Sequence, residues 1–84
     1  MLEQIKEILK NNLDEIGLFI SSINYEKVGN DNYLKIELDS DNIIDVLIIT
    51  KASTIINQIL DTNDIIKDSY ILDIFSKEKG VENE

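Results

Sequence analysis

Leu2, Ile5, Ile8, Leu9, Leu13 and Ile16 recur every three or four positions, so they line one stripe of a helix over residues 2–16. Glu3 with Lys6, Glu7 with Lys10 and Lys10 with Asp14 fall on the wet side at helical spacing, and Gly17 is suited to close the helix in the left-handed conformation. The period then drops to two. Leu34, Ile36 and Leu38 alternate with Tyr33, Lys35, Glu37 and Asp39, which predicts a half-buried strand over 32–40 with one dry and one wet face. In the run over 18–28, Leu18 and Ile20 share one parity while Ile23 and Tyr25 share the other, so a bulge is expected near Ser21-Ser22. Val28-Gly29-Asn30-Asp31-Asn32 between the two runs is turn chemistry, and together they read as a β-hairpin. Such a hairpin is marginal alone in water, so the rest of the chain must cover it.

The apolar run Ile43-Ile44-Asp45-Val46-Leu47-Ile48-Ile49 fits a buried strand when read alone. Length decides otherwise: Ile48, Ile49, Ala52, Ile55, Ile56, Ile59 and Leu60 extend a helical stripe, and Asp45 stands where an N-cap belongs. A second helix is therefore expected over 46–60, stopped by Asp61-Thr62-Asn63-Asp64. Tyr70, Leu72 and Ile74 alternate with Ile71, Asp73 and Phe75, giving a last strand over 70–76. The order helix, strand, strand, helix, strand predicts an α+β two-layer sandwich, with both helices on one face of a mainly antiparallel sheet and Leu9, Ile36, Leu38, Ile56 and Leu72 in its core. Residues 1–76 are expected to form one domain and 77–84 a charged, frayed tail.

Composition narrows the chemistry. The 84 residues leave room for one small core, and 43% hydrophobic with 30% charged residues marks a globular chain. The chain has no Cys and no His, which removes thiolate metal sites, the common zinc sites and the usual nucleophile-base pairs. No Asp or Glu interrupts an apolar stripe, as a carboxyl held protonated for acid catalysis would. Gly17, Gly29 and Gly80 are isolated, so no glycine-rich loop cradles a phosphate. Asp39-Ser40-Asp41-Asn42 opens like a calcium loop, but Ile44 stands where Gly is required and Thr50 where a bidentate Glu is required. The expectation is no catalytic residue, no cofactor and no metal site. A net charge of −9 with Lys as the sole basic residue type argues against direct DNA or RNA reading. No apolar run reaches the ~20 residues that cross a bilayer and nothing reads as a signal peptide, so a cytoplasmic monomer without a membrane contact is expected.

Three stretches together resemble the N-terminal domain of the bacterial ribosome maturation factor RimP family. Ile16-Gly17-Leu18-Phe19-Ile20, leading through Ile23-Asn24-Tyr25 to Leu34-Lys35-Ile36-Glu37-Leu38-Asp39, is similar to the family's first two strands. Ser53 to Asp64, ending Ile59-Leu60-Asp61-Thr62-Asn63-Asp64, is similar to its second helix, and Tyr70-Ile71-Leu72-Asp73-Ile74-Phe75-Ser76 to its last strand. Two departures stand out. Asp45 takes a cap position where the family has Thr, and Lys77-Glu78-Lys79-Gly80-Val81 replaces the family's Ser-Pro-Gly-Leu and following Arg. The family's second, small β-barrel domain does not begin before Glu84, so the chain is expected to be either an excised domain or a shortened relative.

The resemblance implies a non-enzymatic factor that binds the immature small (30S) ribosomal subunit and assists incorporation of its basic protein number twelve. The alternative reading of so acidic a chain is a small inhibitor or antitoxin-like protein with a basic partner. Either way the carboxylates matter. Asp39 and Asp41 end the second strand and Asp45 opens the second helix, so they are expected to converge as a patch for a basic partner. Asp61 and Asp64 at the far end of that helix form a second candidate patch. The plain alternative is that all five only cap helices and keep the surface soluble.

Overall fold

The computed structural model describes residues 1–77. The elements are α1 (Leu2–Asp14), β1 (Phe19–Val28), β2 (Asp31–Asp39), α2 (Val46–Asn63) and β3 (Ile71–Ser76), in the order the residue pattern predicts. Only Lys77 of the expected tail is among the described residues; the remainder of that tail lies outside them.

The turns that bound these elements are local chemistry. The Leu18 N–H donates to the Leu13 carbonyl at 2.9 Å and the Gly17 N–H to the Asp14 carbonyl at 3.0 Å, while Gly17 sits at φ +78°. This is a Schellman closure, and its apolar contact is made by Leu13 and Leu18, both buried. Gly29 has φ +65° and Asn30 is not in the left-handed region, the combination a type II′ hairpin turn requires. The bulge falls where parity breaks: Ile20 pairs with Leu38 and Ser22 with Glu37, leaving Ser21 extra. At the start of α2, Asp45 Oδ1 accepts from the Ile48 N–H at 3.0 Å. The helix runs on past Leu60 to Asn63, because Asp61, Thr62 and Asn63 tolerate helix, and it stops where Asp64 turns left-handed at φ 48°.

The sheet order is β1-β2-β3, with β1 and β2 antiparallel and β2 and β3 parallel. The sheet is thus mixed rather than mainly antiparallel. The reason lies in α2, whose 18 residues return the chain along the length of β2 before β3 begins, the crossover that a parallel pair needs. β2 is central, and burial records it. Leu34, Ile36 and Leu38 are 0% exposed, whereas their neighbours on the edge strands, Ile23, Tyr25, Leu72 and Ile74, are only half-buried. Leu72 therefore misses the full burial expected of it, since an edge strand has a neighbour on one side only. Ile5, Leu9 and Leu13 of α1 and Ala52, Ile56 and Leu60 of α2 join the β2 residues in one core cluster.

The other side of the sheet is less polar than a simple wet face. Ser22 Oγ donates to Glu37 Oε1 at 3.1 Å, and Lys35 pairs with Glu26 at 2.6 Å. The hydrogen bond and charge of Glu26 raise the Lys35 pKa, with Asp73 adding a smaller push. Beside these groups Phe19, Val28, Ile71 and Phe75 remain substantially exposed.

Candidate functional site

Asp39, Asp41 and Asp45 come together at one end of the domain, where β2 stops and α2 starts. Asp39 ends β2, is half-buried, and accepts from the Ser40 N–H through Oδ1 at 2.7 Å. Ser40 is buried and its Oγ accepts from the Asn42 N–H at 3.1 Å, so side chains acting on their own backbone shape the connection. Asp41 and Asp45 are exposed, with Asp45 engaged as the helix cap. The end of β3 reaches the same place, because the Lys77 N–H donates to the Leu38 carbonyl at 2.7 Å. Glu37, Asp39, Asp41 and Asp45 follow one another along the chain here, while Lys77 reaches the same end from β3 and Lys51 lies one helical turn beyond Leu47.

Asp61 and Asp64 sit at the other end of α2, roughly 27 Å away at 1.5 Å per residue over its 18 residues. Asp64 is paired with Lys67 at 3.1 Å. Asp61 lines a shallow hollow of about 360 Å³ with Asn57, Asp68, Ser69, Tyr70 and Leu72. Burial pushes the Tyr70 phenol up from its ordinary value of 10.0, and the charges of Asp61 and Asp64 push it further. Tyr25 is a neighbour of this phenol, and its own hydroxyl is buried without a hydrogen-bond partner among the described residues. Among the described residues no group of three or more Asp and Glu is placed to hold a metal ion, and no helix is long and apolar enough to cross a membrane.

Residue pattern alone misses the apolar component of the first patch. Ile43 is 84% exposed, and Val46 and Leu47 are each 78% exposed, between and beside the carboxylates of Asp41 and Asp45. The signal was present in the helical wheel: Val46 and Leu47 fall outside the stripe that Ile48, Ile49, Ala52, Ile56 and Leu60 bury or half-bury.

The described residues thus form a small αββαβ domain that carries exposed carboxylates and exposed aliphatic side chains at one end. A family model described as the RimP N-terminal domain matches residues 8–77, most of the chain, and the chain belongs to that family. Its members are non-catalytic ribosome maturation factors associated with the small ribosomal subunit.

Proposed function

We propose that this domain serves, without catalysis or cofactor, in maturation of the small ribosomal subunit, and that it contacts the precursor through a basic ribosomal protein rather than through rRNA. Membership of the RimP N-terminal family over residues 8–77 carries this reading. The acidic character of the chain supports the choice of partner, since a net charge of −9 repels phosphate and attracts a Lys- and Arg-rich protein. In this reading the domain is a cytoplasmic monomer arranged as a two-layer sandwich, both helices on one sheet face, with Asp39, Asp41 and Asp45 turned towards the partner. Asp61 and Asp64 are secondary in it, because Lys67 already pairs with Asp64 and Asp61 stands at the negative end of the α2 dipole.

The test is affinity purification of the tagged full chain from bacterial extract, with and without nuclease treatment. Small-subunit precursors should co-purify, and a basic ribosomal protein should stay bound after rRNA is digested. Tight binding of naked rRNA in a gel shift at physiological salt would overturn the protein-contact reading. Recovery of a toxin or nuclease with no ribosomal component would favour the acidic-inhibitor reading instead.

A further inference from the structure

The first turn of α2 leaves bulky aliphatic side chains in water where a helix N-terminus ordinarily carries polar ones. Ile44, Ile48 and Ile49 turn inward and pack on the core, so the helix stripe is already satisfied without Ile43, Val46 and Leu47. The other exposed apolar residues are less naked: Phe19 and Ile71 are 45% exposed and Phe75 40%, against 84% for Ile43 and 78% for both Val46 and Leu47. Adjacent aliphatic side chains left this open on a small domain mark a contact surface.

Charge selects what covers it. Asp41 and Asp45 are exposed on either side of Ile43 in a chain of net charge −9, against Lys51 one helical turn beyond Leu47 and Lys77 at the end of β3. A second copy would bring like charges face to face, and rRNA or an anionic lipid surface would meet carboxylates with phosphates. The open sheet face is the weaker rival, because Lys35 sits at its centre and Phe19 borders a groove with Lys6 and Lys10. We propose that Ile43, Val46 and Leu47, framed by Asp41 and Asp45, form the docking surface for a Lys- and Arg-rich protein segment that carries aliphatic side chains of its own. This rests on the basic-partner reading above and adds that the contact is apolar at its centre and ionic at its rim.

High exposure makes the test clean, since Val46→Ser with Leu47→Ser removes no core packing and keeps the Asp45 cap. The full chain, wild type and variants, is immobilised and titrated with rRNA-free total protein of the small ribosomal subunit, and the retained proteins are identified and their Kd values measured. The double serine variant should unfold at the wild-type temperature and raise the Kd of the retained basic protein on the order of tenfold or more, at low and high salt alike. Asp41→Asn should weaken and slow binding at low salt only. Val28→Ser, at the hairpin turn and 55% exposed, should change nothing. Wild-type affinity in both the double serine variant and Asp41→Asn would overturn the surface while leaving the partner reading intact. Failure of wild type to retain any basic protein would overturn both. A wild-type dimer in sedimentation that the serine variant dissolves would make the occupant a second copy and end the proposal.

Discussion

The two ends of α2 carry the same residue type and put it to different use. At the first end Asp45 accepts a backbone N–H from Ile48, and its charge complements the positive end of the helix dipole. At the second end the last turn holds Asp61 and no basic residue, so the dipole works against that carboxylate, and Asp64 draws in Lys67. Packing is reversed between them. Leu60 and Ile66 are buried beside the second end, whereas Val46 and Leu47 stand in water at the first. The difference between the ends is therefore apolar: the second buries its aliphatic side chains and the first leaves Val46 and Leu47 open.

The largest effect that could break this comparison is in packing. Leu60→Ala should cost ~2–5 kcal/mol in urea denaturation, and Leu47→Ala should stay within ~0.5 kcal/mol. Equal losses would mean that Leu47 is core after all. Next comes capping: Asp45→Ala should cost about 1 kcal/mol, because an N–H at the start of α2 loses its acceptor, and Asp45→Asn should recover most of it.

Smaller and opposite in sign, Asp61→Asn should stabilise the domain by ~0.3–1 kcal/mol in thermal unfolding by relieving the helix end. The same substitution should bring the Tyr70 phenol closer to its ordinary value of 10.0, although burial, the larger cause, will keep part of the rise. Absorbance titration of the phenolate reads this directly. The folded domain holds that proton more tightly than the unfolded chain does, so the unfolded state loses it first. The stability it contributes is complete below pH 10.0 and is lost as pH rises through the folded value. The faintest effect is expected at Lys67→Ala, a few tenths of a kcal/mol that vanish in salt, because the Asp64–Lys67 pair is exposed on both sides.

How legible the fold was depends on the range of the interaction concerned. Both helices, the Gly17 closure, the hairpin turn and the Asp45 cap follow from contacts within a few residues, and the change of side-chain parity along β1 marks the bulge at Ser21. The inward face of β2 was equally plain, since Leu34, Ile36 and Leu38 alternate without a break. Of the candidate acids, the pattern placed Asp39, Asp41 and Asp45 at one end because they are close in sequence and separated only by a turn.

Tertiary structure decided the rest. That β3 lies parallel beside β2, and that Leu72 is therefore only half-buried, depends on where an 18-residue helix returns the chain. Nothing in Tyr70 to Ser76 encodes that direction, because a strand's alternation is the same whichever way it runs. The engagement of Asp64 by Lys67 and the exposure of Ile43, Val46 and Leu47 were decided at the same level. An apolar residue in the sequence states a preference for burial, but only the packed core determines how many of them it has room for. Here the core cluster fills with Ala52, Ile56 and Leu60 from α2, takes Ile48 and Ile49 at its margin, and leaves Val46 and Leu47 outside.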